Sequence, residues 1–384
     1  MEINLLEKHK KEMIKKQNIL IVGAGPVGCV LANKFATILN EKVVIIDKRD
    51  HIAGNCQDEI HSSGVLIHKY GPHYFRTNNI ELINFLSKFT EWIEGDYYVT
   101  ANFNNENYPF PINRITINKF FNKNFKTEVE VEEFINELKI KKKNPANSED
   151  FVLSRVGKDL YEAFYKGYTI KQWGMNPNEL GPSVCGRIPV RYNEDCRYVD
   201  HKYQLTPKSG FNHLFKNMIS HENIDIKLNT TFNAVNREEF NLIIYTGAID
   251  EYFNFEYGKL DWRSLEFDFR EYDHEFMQPN VQINYSNSQE FTRSVEIKHV
   301  TKQKINKTVV SYEYPCSEGD PYYPIPNKKN ENLYEKYKIL ADIECMKNNV
   351  YFCGRLAEYK YFNTDEVIER ALDLFNTILK KNEK

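Results

Sequence analysis

The stretch Asn18-Ile-Leu-Ile-Val22, followed by Gly23-Ala-Gly25-Pro-Val-Gly28, decides the fold of this chain of 384 residues. The apolar run predicts a buried strand, and the glycines form a G-x-G-x-x-G turn before residues of helical spacing. A second apolar run ends at Asp47, which stands 19 residues after Gly28. In this arrangement a pyrophosphate lies on backbone N–H groups at a helix N-terminus, and the later carboxylate reaches ribose hydroxyls. We therefore predict an α/β fold with a Rossmann-like dinucleotide site.

The composition excludes several other classes of function. The chain has 51 basic and 54 acidic residues, and this balance argues against a nucleic-acid or membrane-surface binder. No apolar run approaches the length that a bilayer requires, and residues 1–17 lack the apolar core of a secretory signal. The seven cysteines and 10 histidines show no metal-ligand spacing. We expect a cytoplasmic protein with reduced thiols, no metal site, no membrane span and no nucleic-acid partner.

Later segments indicate that the dinucleotide domain is discontinuous. Apolar runs at 242–245 and 350–353 are each followed by a glycine, which suggests that the chain returns twice to the first sheet. Assembly from N-terminal, middle and C-terminal pieces is typical of FAD-binding folds, whereas an NAD-binding half is usually contiguous. The sequence also lacks a second G-x-G-x-x-G for a nicotinamide nucleotide. We therefore favour FAD over NAD.

The regions between these pieces carry first helical and then strand signals. Thr127 and Glu130 predict a capping box, and Ser148 is placed to cap a second helix that ends at Gly167. Period-two segments at 281–285, 295–300 and 308–314 predict antiparallel strands. The expected architecture is a Rossmann-like FAD-binding domain with an inserted helical domain and an antiparallel β-sheet domain. We place an N-terminal extension at 1–17, the FAD-binding domain at 18–84, 204–246 and 340–384, a mainly helical domain with a mobile substrate loop at 85–180, and the sheet domain at 181–203 and 247–339.

Aromatic and arginine residues are candidates for a substrate pocket. A helix that ends at Gly167 would leave Tyr168 and Trp173 on a loop, where a base or a sugar ring can stack. Arginine forks suit a diphosphate, because their planar donors match phosphate oxygens. The candidate arginines are Arg187, Arg191, Arg263 and Arg293. Each residue also has an ordinary interpretation as a core anchor or a surface charge, and sequence position alone does not choose between the two.

Longer motifs resemble the bacterial UDP-galactopyranose mutases, over most of the chain from about Asn18 to Phe375. The matching stretches are Gly54-Asn55, His68-Lys-Tyr-Gly-Pro-His73, Gly167 to Gly174, Arg187-Ile-Pro-Val-Arg191, Lys259-Leu-Asp-Trp-Arg263, Pro321-Tyr-Tyr-Pro324 and Gly354-Arg355-Leu356. The resemblance implies an FAD-dependent isomerase, active when the flavin is reduced, that interconverts UDP-galactopyranose and UDP-galactofuranose for polysaccharide biosynthesis. It also implies a UDP-sugar as partner and a homodimer.

The resemblance further implies roles for individual residues. Tyr168 resembles the uracil-stacking residue, Thr169 lies beside it, and Trp173 belongs to the mobile substrate loop. The implied substrate contacts also include Arg187 and Arg293 as the diphosphate pair, Tyr198, Tyr323 and Tyr361 at the phosphates, and Arg263 in the cleft. The implied cofactor contacts are Gly23, Gly25, Pro26, Val27, Gly28, Asp47, Lys48, Gly54, Asn55, His73 near the isoalloxazine and Arg355 near the flavin. The implied catalytic set is Arg187, Arg293 and His73.

The implied chemistry uses the cofactor as a nucleophile. The N5 atom of the reduced flavin would attack the anomeric carbon as UDP leaves, and the sugar would open, reclose as a furanose and regain UDP. The protein would hold the diphosphate against the arginines. The alternative is an FAD-dependent redox enzyme, such as an amine oxidase or a desaturase, which would bleach the flavin with its substrate and consume oxygen. A non-catalytic module that binds FAD or a nucleotide sugar is the third interpretation.

Two positions depart from the bacterial pattern. Arg76 stands where bacterial members usually carry a second histidine, and we hypothesise that it admits UDP-N-acetylgalactosamine beside, or in place of, UDP-galactose. A tolerated surface arginine is the plain alternative. Asn363 stands where an aspartate is expected, and with Glu366 it also fits a capping box for the last helix. Asn363 therefore has two alternative interpretations, a substrate contact and a purely structural role.

Overall fold

The computed structural model describes residues 18–186, 188–287 and 289–382, so that the expected extension at 1–17 lies outside the described residues. The chain divides into two compact units. The first contains the described parts of Met1–Gly54, His213–Glu256 and Lys336–Lys384, and the second contains Asn55–Asn212 and Tyr257–Glu335. The finer domain boundaries given above stay a prediction. Within the described ranges, no helix is both long and apolar enough to cross a membrane.

The first unit contains a five-stranded parallel sheet. In spatial order its strands are Ile224–Lys227, Lys42–Ile46, Asn18–Val22, Leu242–Tyr245 and Val350–Phe352. Strands of a parallel sheet are buried on both faces, and for this reason most of them are continuous apolar runs. The predicted return of the middle and C-terminal runs to the first strand is confirmed.

Helices of the first unit pack beside this sheet. They are Pro26–Ile38, Ile249–Tyr252 and Thr364–Asn382. Two further helices, Gly210–Met218 and Lys328–Asn348, begin in the second unit and end in the first. Short 3₁₀ turns lie at Phe232–Ala234 and Arg237–Glu239, and the turn Gly54–Cys56 begins at the last residue of the first segment of this unit. The Pro26–Ile38 helix starts with proline, whose missing N–H is not needed there. Its Phe35 meets Phe375 of the last helix edge to face, with ring centroids 5.2 Å apart. The last helix therefore supports the helix that follows the glycine turn.

The second unit contains a seven-stranded sheet. In spatial order its strands are Tyr323–Pro324, Trp262–Tyr272, Thr308–Cys316, Arg293–Val295, Gln282–Tyr285, Val99–Phe103 and Glu106–Phe110. All neighbours are antiparallel except Gln282–Tyr285 and Val99–Phe103, which run parallel. The 99–110 hairpin falls in the stretch that the sequence predicts to be mainly helical. Its first strand, Val99–Phe103, is almost entirely buried and pairs with Gln282–Tyr285, and this pairing brings the hairpin into the sheet. Smaller sheets pair Asp58–Ile60 with Leu66–His68, and Phe75–Thr77 and Trp92–Glu94 with Tyr203–Pro207.

The helices of the second unit partly follow the predicted signals. They are Ile80–Leu86, Arg114–Phe121, Glu128–Leu138, Ser148–Tyr161, Gly167–Trp173, Ser183–Gly186 and Lys298–Thr301, with a π turn at Glu162–Lys166. The capping box of Thr127 and Glu130 is confirmed. Asn147, and not Ser148, caps the next helix, because its side chain accepts the Asp150 N–H.

Two predicted boundaries are wrong. Gly167 does not end a helix, because the helical run continues to Trp173 and stops at Gly174, whose φ is +65°. The strand predicted at 295–300 ends at Val295, and a short helix begins at Lys298. The buried Lys298 ammonium donates to the carbonyls of Glu275 and Lys307, and this polar anchoring outweighs the alternating pattern.

Candidate functional site

The glycine-rich turn follows the central strand of the first unit. Gly23 has a φ of +111°, and a Cβ there would lie 2.0 Å from the Thr246 hydroxyl oxygen. A Cβ on Gly28 would lie 1.9 Å from the Gly23 carbonyl oxygen, so neither position admits a larger residue. At Gly25, by contrast, a Cβ would meet only the Cα of Gly54, at 3.8 Å. The space before the helix N-terminus is therefore open to a pyrophosphate, and the residues present fit a dinucleotide.

Asp47 braces this turn. Its carboxylate accepts the Ala24 N–H at 2.8 Å through Oδ2 and the Arg49 N–H at 2.9 Å through Oδ1. Each oxygen keeps a further lone pair, which a ribose hydroxyl can use. The side chain of the next residue, Lys48, is exposed. Asp47 thus has a structural role in the turn that the motif alone does not predict.

A C-terminal loop of the same unit brings together three other predicted residues. The Arg355 guanidinium lies 4.8 Å from the ring centroid of Tyr361 and donates from Nη2 to the Phe362 carbonyl at 2.7 Å. The Asn363 N–H donates to the Glu366 carboxylate at 2.7 Å, which is one half of the predicted capping box. The loop connects the Val350–Phe352 strand with the last helix, so these residues stand where a parallel sheet ends.

In the second unit, Arg293 and Glu313 stand directly opposite each other on neighbouring antiparallel strands. Arg293 Nε donates to Glu313 Oε2 at 2.5 Å, and Nη2 donates to the Tyr323 hydroxyl at 2.8 Å. The Glu313 side chain is fully buried, whereas 15% of the Arg293 side chain is exposed. Burial opposes the charge of Arg293, but Glu313, Tyr323 and Tyr168 raise its pKa well above the usual value. The guanidinium is therefore a permanent cation.

Two predicted aromatic residues lie close to this pair, on the Gly167–Trp173 helix. Burial raises the pKa of Tyr168, and the charge of Arg293 acts on it in the opposite direction. The Trp173 ring lies 6.1 Å from the Tyr323 ring, centroid to centroid. Thr169, between them in sequence, is buried and its hydroxyl lies 3.7 Å from Cys185 Sγ. We call Tyr168, Trp173, Arg293, Glu313 and Tyr323 the arginine–tyrosine cluster.

Arg263 holds the end of that helix. Its guanidinium donates to the carbonyls of Gln172 at 3.0 Å and Lys171 at 3.4 Å, and also to the Ser317 hydroxyl at 2.5 Å. Only 6% of the residue is exposed, and burial lowers its pKa. A cation at a helix C-terminus satisfies carbonyls that lack helical partners. Its expected place in the substrate cleft stays a prediction.

The histidine segment is also tightly organised. The His73 N–H donates to Nδ1 of His68 at 2.9 Å, and the His73 ring donates from Nδ1 to the Gly71 carbonyl at 2.9 Å. His68 is buried, and burial lowers its pKa to about 3. Arg76, on the strand that follows, places its guanidinium 5.6 Å from the ring centroid of Tyr74.

Of the two remaining substrate-contact candidates, Tyr198 lies close enough to Tyr168 to contribute to its raised pKa. The Tyr198 N–H donates to the Tyr97 carbonyl at 2.9 Å, with the two rings 6.1 Å apart. Arg187 lies outside the described residues. The described ranges contain no group of three residues that could hold a metal ion. No local sequence signal identifies Glu313 or the hydrogen bond to His68, because the first depends on strand pairing and the second on the geometry of a turn.

Known proteins resemble this chain over most of its length. Residues 163–361 match a family model for UDP-galactopyranose mutase, and residues 21–89 match one for an NAD(P)-binding Rossmann-like domain. A probable UDP-galactopyranose mutase of Klebsiella pneumoniae is 38% identical over 365 residues, 94% of either chain. A dTDP-fucopyranose mutase of Escherichia coli is 34% identical over 379 residues, which is 95% of this chain and 99% of that one. A crystal structure of reduced UDP-galactopyranose mutase has the same fold, with a TM-score of 0.77 and 14% identity over 95% of this chain and 96% of the other.

Proposed function

Since the chain belongs to the UDP-galactopyranose mutase family, we propose that it is an FAD-dependent isomerase that interconverts UDP-galactopyranose and UDP-galactofuranose. The observation that carries this proposal is the Arg293 guanidinium, which is held by Glu313 and Tyr323 beside two aromatic rings. A fixed cation next to aromatic side chains suits a nucleoside diphosphate, whose phosphates need donors and whose base needs a flat surface. The proposal includes a homodimer, a cytoplasmic location and a role in galactofuranose-containing polysaccharides.

We assign the FAD pyrophosphate to the glycine turn of the first unit. The open side of Gly25 and the N-terminus of the Pro26–Ile38 helix would hold it, and Asp47 would accept a ribose hydroxyl. The other contacts that we assign within the first unit are Gly23, Pro26, Val27, Gly28, Lys48, Gly54 and Arg355. Bound and reduced, FAD supplies a nucleophilic nitrogen for the anomeric carbon.

The residues of the arginine–tyrosine cluster would hold the departing UDP. Arg293 uses two of its roughly five N–H donors on described residues, so that about three remain for phosphate oxygens. Negative charge on the diphosphate grows as its bond to the sugar breaks, and a cation already in place then stabilises the transition state more than the ground state. Tyr168 would stack on the uracil, and Trp173 would exclude water from the reacting sugar.

The proposal is tested with the flavin-loaded protein. The dithionite-reduced protein is incubated with UDP-galactofuranose, and the two ring forms are separated by chromatography. We expect conversion to UDP-galactopyranose without net oxidation, and no conversion by the oxidised protein. Arg293→Ala should lose turnover and keep the flavin absorbance. Substrate-dependent oxygen consumption without conversion of the ring form would instead support the redox alternative.

Arg76 supports a wider substrate range within the same proposal. Its guanidinium lies on the strand that directly follows the histidine segment, over the Tyr74 ring. A fork of N–H donors there would suit the carbonyl oxygen of an N-acetyl group. We therefore include UDP-N-acetylgalactosamine among the proposed substrates.

A further inference from the structure

Glu313 is a buried charged group for which the proposed reaction has no direct use. Its side chain is fully buried, and its only charged contact among the described residues is Arg293. We propose that Glu313 is a positioning residue, which fixes the direction of the Arg293 fork and offsets part of its charge. This inference rests on the proposed function, because it gives Arg293 the role of binding the diphosphate.

The strand pairing holds the carboxylate in place. Arg293 and Glu313 are register partners, and the preceding Thr292 donates both its N–H, at 2.9 Å, and its hydroxyl, at 3.3 Å, to the Glu313 carbonyl oxygen. The backbone of both residues is therefore fixed by the sheet. The contact between Nε and Oε2 then determines the plane of the guanidinium, and Nη2 meets the Tyr323 hydroxyl as a second fixed point.

Burial makes the two charges depend on each other. Oε1 of Glu313 is buried and has no hydrogen-bond partner among the described residues, so that the guanidinium is what stabilises the carboxylate. A buried charge that loses its partner is strongly destabilising. The ion pair of Arg293 and Glu313 therefore stays formed when a diphosphate binds. The diphosphate then contacts N–H donors that point in a fixed direction, and the net charge of the pair is low.

This arrangement predicts opposite changes in binding and in turnover. Glu313→Gln keeps the side-chain volume and removes the negative charge. The Arg293 guanidinium then attracts phosphate more strongly, but its orientation is less fixed. UDP should bind about 3- to 10-fold more tightly, as expected when a like charge near the ligand is removed. Its affinity should also depend more steeply on ionic strength. Turnover should fall about 10- to 100-fold, the order that a mispositioned group costs.

The experiment compares three variants of the flavin-loaded protein with the wild type. Glu313→Gln is compared with Glu313→Asp. The aspartate keeps the negative charge, but its side chain is one methylene group shorter, so the carboxylate lies farther from Arg293. Asp268→Asn is the matched control, because it removes a carboxylate from the exposed pair with Arg270 on the neighbouring strand. UDP is titrated at two ionic strengths, kcat and KM are measured for the reduced protein, and thermal unfolding checks the fold.

We expect tighter, more salt-sensitive UDP binding with lower kcat in Glu313→Gln. Glu313→Asp should keep the salt dependence of the wild type and lose kcat, and Asp268→Asn should resemble the wild type. Unchanged UDP affinity and kcat in both Glu313 variants would overturn the inference, and so would a parallel loss of affinity, kcat and unfolding temperature. A wild type that binds no UDP would instead refute the proposed diphosphate site itself.

Discussion

Burial disfavours the charged form of both His68 and Glu313, because it lowers the pKa of the histidine and raises the pKa of the glutamate, but only Glu313 has a charged partner that acts in the opposite direction. Glu313 faces a guanidinium across the sheet and can stay ionised without solvent. Asp58 stands opposite His68 on the paired strand, but His68 forms no ion pair among the described residues. The Nδ1 atom of His68 accepts a backbone N–H, so the ring is neutral with the proton on Nε2. That Nε2 is buried and has no hydrogen-bond partner among the described residues. Protonation of His68 is therefore incompatible with the native histidine segment.

Acidification should destabilise the protein through His68. The pKa of the buried ring is about 3, against 6.5 for a free one, so the unfolded chain takes up the proton first as the pH falls. The stabilising contribution is fully present above pH 6.5 and is lost towards pH 3, by up to about 1.4 kcal/mol per pH unit. We expect the free energy of unfolding in urea to fall less between pH 7 and 5 in His68→Asn, whose amide oxygen still accepts the N–H.

Comparison of the two proteins removes the effect of titrating groups that lie away from residue 68. Asp58, which stands opposite His68 on the paired strand, changes stability in the opposite sense, because burial raises its pKa to about 6. An equal loss of stability in the wild type and in His68→Asn would contradict this account of His68.

Arg76 should decide the preference between the two proposed sugars. Arg76→His replaces a long fork of donors by a shorter ring, which reaches less far towards an N-acetyl group. The ratio of kcat/KM for UDP-N-acetylgalactosamine to that for UDP-galactose should fall by about 10-fold or more, the order of discrimination that one pocket contact provides. Arg270→His is the control, since that arginine pairs with Asp268 on an exposed strand. An unchanged ratio in Arg76→His would make the residue a neutral surface arginine.

At the scale of elements, the Gly167–Trp173 helix depends on a tertiary contact that the local sequence does not predict. The sequence predicts that a helix stops at Gly167, but the φ of Gly167 is helical and its lack of a Cβ permits close packing instead. A Cβ there would lie 2.2 Å from the Ser286 carbonyl oxygen, so glycine lets the helix approach the sheet. Lys171 adds a second attachment, because its ammonium donates to the carbonyls of Gln289 and Phe291. A glycine required by a tertiary contact and one required by a helix end have the same local sequence signal.

Gly167→Ala should therefore displace the helix that carries two members of the arginine–tyrosine cluster. Such overpacking typically costs about 1–3 kcal/mol. We expect weaker UDP binding and a smaller change of Trp173 fluorescence on addition of UDP. Gly181→Ala is the matched control, because a Cβ there would meet the Pro326 carbonyl at an ordinary 3.5 Å. If both variants bind UDP like the wild type, the close approach at Ser286 does not position the cluster.

The first unit was more predictable than the cluster for a physical reason. Buried parallel strands are continuous apolar runs, and the glycine turn is contiguous with one of them, so both signals are local. The pairing of Arg293 with Glu313 depends instead on the register of two strands that are separated by a helix and a loop. Alternation indicates that each strand exists, but it does not specify which residues stand opposite each other.

At the scale of the whole molecule, the first unit depends on distant parts of the chain. Its central strand has a middle segment on one side, and that segment pairs in turn with a C-terminal strand. The last helix contacts the helix that follows the glycine turn. A cofactor held at that turn should therefore respond to changes more than 300 residues away in sequence.

Phe375→Ala tests this dependence. Phe375 is buried against Phe35 of the Pro26–Ile38 helix, and loss of a buried phenylalanine side chain costs about 3–5 kcal/mol. The cavity should loosen the helix whose N-terminus faces the proposed pyrophosphate, so the purified protein should have a lower ratio of flavin to protein absorbance and a lower unfolding temperature. Asn376→Ala changes the exposed neighbour on the same helix and should stay within about 0.5 kcal/mol of the wild type. If Phe375→Ala lost stability and kept its flavin as well as Asn376→Ala does, the turn would hold the cofactor independently of the C-terminal segment.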